Sequence, residues 1–209
     1  KDKSMALESA DGDYVYGVPY VVETYGLIYN KALLDEYMAL PDAAVTSVSE
    51  IDNFETLKKV ADGIQKDKEE LGVKGAFASA GFDASSDWRF KTHLANIPLY
   101  MPQYKQIFDL YLDDSTTDRT ALAGKTMEDA TAEFALGECV FLQNGTWAWG
   151  DLEAAGMSAD DLGMLPIYIG VEGESEYGLA TGSENYWVIN DKASEADQKA
   201  SEKFLEWVI

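Results

Sequence analysis

The sequence predicts an α/β fold, a mixed sheet flanked by helices. Three observations carry this. Short apolar runs rich in Val, Ile and Tyr alternate with segments whose apolar residues recur three and four apart. Helix-capping residues precede those segments, and Gly or Pro follows them. Neither an internal repeat nor a low-complexity stretch interrupts the alternation.

Taken in order, Val15 to Val22 reads as a strand bent at Gly17-Val18-Pro19, and Gly26 to Tyr29 as a short buried strand. Asn30 caps a helix over 31–38, with Leu33, Leu34, Tyr37 and Met38 on one face and Pro41 beyond its end. Asp52 with Glu55 is a capping pair for a helix over 52–66, whose inner stripe is Phe54, Leu57, Ala61 and Ile64. A strand over 74–79 follows, then a polar loop and a helix near 88–95. The amphipathic segment 103–112 carries Tyr104, Ile107, Phe108 and Tyr111. Thr126 with Asp129 opens the next helix, and Gly137 stops it. Strands follow at 139–143, 162–166 and 186–189, and a short helix at 146–154. Residues 167–183 read as loop or hairpin. Ser194 with Asp197 caps a last helix, in which Ala196, Ala200, Phe204 and Val208 form the apolar face. The helices at 31–38, 52–66, 103–112 and 194–208 are expected to pack on the sheet in two layers, and the sheet to be largely parallel or mixed.

Composition narrows the function. The chain has 209 residues, 38 acids and 16 bases, and a net charge of −22. Such a surface repels phosphate backbones and anionic headgroups, which argues against nucleic-acid binding and electrostatic membrane docking. Aromatics make up 12% of the chain, enough to supply a binding surface as well as a core. With one cysteine, Cys139, and one histidine, His93, there is neither a disulfide framework nor a Cys- or His-rich metal site. Cys139 lies in an apolar run and reads as a small buried hydrophobe. No stretch reaches the ~20 apolar residues of a membrane span, and no signal peptide is evident. A polar start at Lys1–Asp13 and an end inside a helical pattern read as a fragment of a longer protein.

No catalytic motif stands out: no Gly-rich phosphate loop, no G-x-S-x-G, no H-E-x-x-H. Asp113, Asp114 and Asp118 lack the EF-hand spacing and read as a solvated loop. The informative segment is Asn144-Gly145-Thr146-Trp147-Ala148-Trp149. A strand ends in Asn-Gly and a helix starts under Trp147. Ligands of α/β sheets sit beyond the carboxyl ends of strands. Trp147 and Trp149 project about 200° apart on a helix, so one faces the strand-end crevice while the other packs inward.

This segment, together with Phe134-Ala135-Leu136-Gly137-Glu138 before it, resembles the family 1 extracellular solute-binding proteins, the maltose-binding-protein-like components of ABC sugar importers. Val22-Glu23-Thr24-Tyr25-Gly26-Leu27-Ile28-Tyr29-Asn30-Lys31 resembles one of their strands, Tyr16-Gly17-Val18-Pro19-Tyr20 the crossover into it, and 192–207 the helix after the Gly-rich return. The resemblance covers nearly the whole chain in order. The family's opening lobe and last helices have no counterpart here, and the Pro98–Pro102 junction is shorter than usual.

The resemblance implies a periplasmic-binding-protein-like lobe with a partial second lobe. Residues 1–25 are then part of the first lobe and the hinge crossover, 26–169 the second lobe, and 170–209 the return to the first. It implies an oligosaccharide ligand, ABC transporter permease subunits as partners, no enzyme activity, no cofactor and no metal. It further implies a monomer that is extracellular, held at the cell surface as a lipoprotein, or periplasmic. Flat aromatics cover pyranose C–H faces while Asp, Glu and Asn bind hydroxyls. On that basis Trp147 is the stacking platform and Glu23 the leading carboxylate. Tyr25, Trp88, Asp87, Arg89, Asn185 and Tyr186 are further ligand-binding candidates, and Trp187 is assigned to the core. The alternative is a glycoside hydrolase or other carbohydrate-active enzyme with two carboxylates about 5–9.5 Å apart; no such pair is recognisable in the sequence.

Overall fold

The computed structural model describes residues 6–79, 83, 87, 88, 101–183 and 185–208. They divide into two compact units. Unit 1 holds 1–24 and 181–209, and unit 2 holds 25–180. The chain enters unit 2 within strand β3 (Glu23–Asn30) and leaves it within β7 (Ala180–Gly182).

Unit 2 is built on a mixed sheet of order β4–β5–β3–β6, where β4 is Gly75–Phe77, β5 Cys139–Gly145 and β6 Leu162–Leu165. Central β3 runs antiparallel to β5 and to β6, while β4 and β5 are parallel. The sheet is therefore mixed, with antiparallel pairs outnumbering the parallel one.

Pleating sends Leu27 and Ile28 to opposite faces, and each joins a different core. Leu27 meets α1 (Lys31–Met38), α2 (Phe54–Lys66) and α3 (Met101–Asp113) through Leu34 and Tyr37, Phe54, Leu57 and Ile64, and Ile107 and Leu110. Ile28 meets α4 (Met127–Ala135) and α5 (Trp149–Ala154) through Phe134 and Leu152. Helices thus cover both faces, and the expected two layers are three. The parallel sheet members and the apolar runs of β3 and β5 demand this double cover: all seven residues of β5 are buried.

Local signals fix the helix ends. Asn30 Oδ1 accepts from the Leu33 amide at 3.2 Å. The cap of α2 is Asn53, accepting from Thr56 at 2.9 Å, rather than Asp52. Thr126 and Asp129 form a reciprocal capping box. Gly137, at φ 71°, adopts the left-handed conformation that ends α4. Cys139 is fully buried. The helix expected near 88–95 lies largely outside the described residues.

Unit 1 contains β1 (Leu7–Glu8), β2 (Val15–Pro19) and β8 (Tyr186–Trp187), paired antiparallel in that order, and α6 (Glu195–Val208). Trp187 stacks on Tyr20 at 4.9 Å and meets Phe204 of α6 at 5.9 Å, but it is only half-buried and joins neither hydrophobic core, against its assignment to the core. Where the chain crosses, Thr24 and Thr181 share a hydroxyl hydrogen bond of 2.9 Å.

Candidate ligand-binding site

Strand β5 does not turn at Asn144-Gly145. It continues through both, pairing Asn144 with Gly26 and Gly145 with Tyr25. The Asn144 side chain is buried and accepts from the Gly145 amide at 2.9 Å. A 3₁₀ turn over Thr146–Ala148 then folds the chain back, and the Trp147 ring comes to rest directly over Gly145. A Cβ at 145 would collide with the ring, so the indole rests in this position only over glycine. Two residues on, Trp149 starts α5 and packs against the core around Ile28 and Leu142.

The two indoles thus separate by environment. Trp147 is half-buried and joins neither core, leaning on Trp88 at a centroid distance of 6.0 Å and 36° between planes. Trp88 is 39% exposed. The pair offers two adjoining flat apolar surfaces at the carboxyl end of β5.

Across the ladder from Gly145, Tyr25 is buried and lines a cavity of about 540 Å³. Its other walls include Tyr168 and Ile169 on one segment and Tyr177, Gly178 and Ala180 on another, with Glu172 and Glu174 among them. Burial, then the negative charges of Asp52 and Glu174, raises the Tyr168 phenol above its ordinary range, so it remains a hydroxyl donor at neutral pH. Glu174 holds the cavity wall in place. Its buried carboxylate accepts from the amides of Phe54 at 2.6 Å, Ile169 at 2.8 Å and Gly170 at 2.9 Å, tying this loop to the start of α2.

The sequence candidates fall into two groups. Unit 2 brings together Trp88 and Trp147, with Tyr25 opposite the glycine under Trp147. Asp87 is half-buried, its amide donating to Asp83 at 3.1 Å. In unit 1, Asn185 Nδ2 donates to Glu23 Oε2 at 3.2 Å, so these two meet each other. The Tyr186 hydroxyl is held by Ser183, 2.7 Å from its Oγ and donating to its carbonyl at 3.0 Å, which commits it to a turn. Arg89 lies outside the described residues. Reading 167–183 only as loop or hairpin missed Tyr168, Tyr177, Glu172 and Glu174. The available signal was two tyrosines in an otherwise Gly- and Glu-rich stretch. Among the described residues no group of three or more His, Cys, Asp or Glu is arranged to hold a metal ion.

The whole chain, residues 1–209, matches a family described as bacterial extracellular solute-binding protein. The chain belongs to this family. An sn-glycerol-3-phosphate-binding periplasmic protein of Rhizobium meliloti is 30% identical to this solute-binding protein over 109 residues, 52% of the chain and 23% of the relative. In structure, it is similar to a Bifidobacterium animalis ABC-transporter binding protein solved with mannobiose. The TM-score is 0.65 at 19% identity, covering 99% of this chain and 52% of that one. A chitin oligosaccharide binding protein gives a TM-score of 0.68 at 16% identity, covering 99% and 53%. These likenesses show the fold. The solute-binding protein spans about half the length of those solved chains and about a quarter of that curated relative.

Proposed function

We propose that this protein binds a neutral oligosaccharide as the substrate-capturing component of an ABC importer. The observation that carries the reading is the Trp88–Trp147 surface at the end of β5, beside the strand position where Tyr25 pairs with Gly145 and lines the tyrosine-walled cavity. Indoles cover the apolar faces of pyranose rings, while phenol and carboxylate groups take the hydroxyls. A phosphate-bearing ligand such as sn-glycerol 3-phosphate suits this lining poorly, because among the described residues the cavity wall holds Glu172 and Glu174 and no lysine or arginine. Solved relatives bound to mannobiose, mannotriose and raffinose support the same class.

Unit 2 is then read as the second lobe and unit 1 as part of the first. The chain crosses between them twice, which suits a hinge whose open–closed equilibrium is shifted by ligand. Docking to permease subunits outside the cytoplasm, with release of the sugar unaltered, completes the proposal. A glycan-array screen of the intact protein tests it, with chromatography of whatever is retained. Retention of an unmodified oligosaccharide supports the reading. Recovery of cleaved products, or no glycan retained, refutes it.

A further inference from the structure

Away from the aromatic surface, α2 and α3 enclose a groove of about 490 Å³. Phe54 and Leu110 contribute its apolar lining; Glu55, Lys58 and Asp62 line it from α2, and Gln106, Asp109 and Asp113 from α3. Asp114, immediately after α3, also lines it. Its position is fixed by the backbone: its carbonyl accepts from Ala76 at 2.9 Å and Phe77 at 3.0 Å, and its amide donates to Leu110 at 3.1 Å.

The expectation that Asp114 belongs to a solvated loop is therefore wrong. The residue is only 8% exposed, because the β4 edge and α3 close over it. Its Oδ2 is enclosed, and among the described residues no donor reaches it. Each nearby cation already pairs with another acid. Lys58, itself in the groove wall, holds Asp62 at 2.6 Å, Arg119 holds Asp109 at 3.0 Å and Asp113 at 2.7 Å, and Lys105 holds Asp109. The carboxyl within hydrogen-bonding reach is that of Asp62, and two carboxyls pair only when one keeps a proton.

We propose that this groove is a binding site for an organic cation, an ammonium or guanidinium group on an apolar stem. The stem lies along Phe54 and Leu110, and the head supplies the donor that Asp114 Oδ2 lacks. A bare metal ion is a poor fit, since no three acids here converge on one point. Burial first, then the charges of Asp62 and Asp113 against that of Lys58, lifts the Asp114 carboxyl to about 7. Binding a cation therefore displaces the Asp114 proton to solvent: the O–H bond breaks and a charge-assisted hydrogen bond replaces it. Glu55 and Asp109 complete the charged surroundings. The proposal is independent of the sugar reading, since it uses none of those residues.

Calorimetric titration of the intact protein tests it with two probes, cadaverine as a free amine and acetyl-Gly-Lys-Gly-amide as a lysine presented by protein. The expected result is saturable one-to-one binding of at least one probe, about tenfold tighter at pH 8 than at pH 6, as loss of one proton near pH 7 requires. Binding of cadaverine alone assigns the site to small amines, and binding of the peptide assigns it to a basic side chain of a partner. Asp114→Asn, which mimics the protonated acid, should weaken binding about tenfold and abolish the pH dependence. Asp62→Asn should move that dependence to lower pH. Circular dichroism confirms that both variants fold. Failure of both probes to saturate overturns the proposal, as does an Asp114→Asn protein that binds with unchanged affinity and pH dependence.

Discussion

The Trp147 ring occupies the space that a side chain at Gly145 would need, two residues back along the same chain. The platform is thus seated on the last residue of β5, which is itself laddered to Tyr25. Gly145→Ala should push the indole off its seat and weaken oligosaccharide binding about tenfold. The forced repacking should cost roughly 1–3 kcal/mol of stability. Tryptophan emission and calorimetry on one sample check both, and unchanged affinity would show that the seat does not matter.

The two neighbouring tryptophans should behave oppositely. Covering one sugar face with an indole is worth roughly 1.5–3 kcal/mol by analogy with burying a large apolar side chain. Trp147→Ala should therefore weaken binding about 10- to 150-fold with little change in melting temperature. Trp149 packs against the core around Leu142, so Trp149→Ala should cost about 3 kcal/mol of stability and leave the affinity of folded protein nearly unchanged. Inverted results in melts and titrations would reverse the assignment of the two faces.

Removing the Glu174 carboxylate should loosen the cavity wall. Three amides, from Phe54, Ile169 and Gly170, lose their acceptor together. At about 1–3 kcal/mol for each buried donor left unsatisfied, and with Phe54 and Ile169 the buried pair, Glu174→Ala should destabilise unit 2 by at least about 2 kcal/mol. Hydrogen exchange should quicken at Ile169 and Gly170 before the rest of the sheet. Unchanged protection at these two amides would count against the anchoring role.

Asp114 sets a pH dependence of stability. Its folded pKa, about 7, lies above the ordinary carboxylate value, so between those limits the folded state binds more protons than the unfolded chain. Its contribution is therefore most favourable below the ordinary value and is lost as pH rises through about 7. Asp114→Asn removes the titration. Relative to the wild type, its melting temperature should gain about 2–4 °C between pH 5 and pH 8, which corresponds to roughly 1 kcal/mol after solvent screening. Parallel melting curves for the two proteins across that range would contradict it.

Much of this architecture is legible locally, because capping and apolar spacing act over three or four residues. Asn30 and the Thr126–Asp129 pair stand where the pattern puts them. The partition of Trp147 and Trp149 is also legible, since residues two apart on a helical turn project to opposite sides. What escaped the sequence depends on distant partners. Asn144-Gly145 looks like a turn, yet Gly26 and Tyr25 extend the strand through it. Asp114 looks solvated, yet the backbone of Ala76 and Phe77 draws it inward. The Gly-rich segment 167–183 has no period to read, and its tyrosines become a wall only because Glu174 reaches 120 residues back to Phe54.

The central claim is that the aromatic surface of unit 2 captures a neutral oligosaccharide. The most direct measurement is calorimetric titration of the intact protein and its Trp147→Ala variant, with an oligosaccharide series and with sn-glycerol 3-phosphate. We expect saturable heat from at least one neutral oligosaccharide, weakened about 10- to 150-fold in the variant, and none from the phosphate ester. Saturable binding of sn-glycerol 3-phosphate with no response to any neutral sugar would contradict the account.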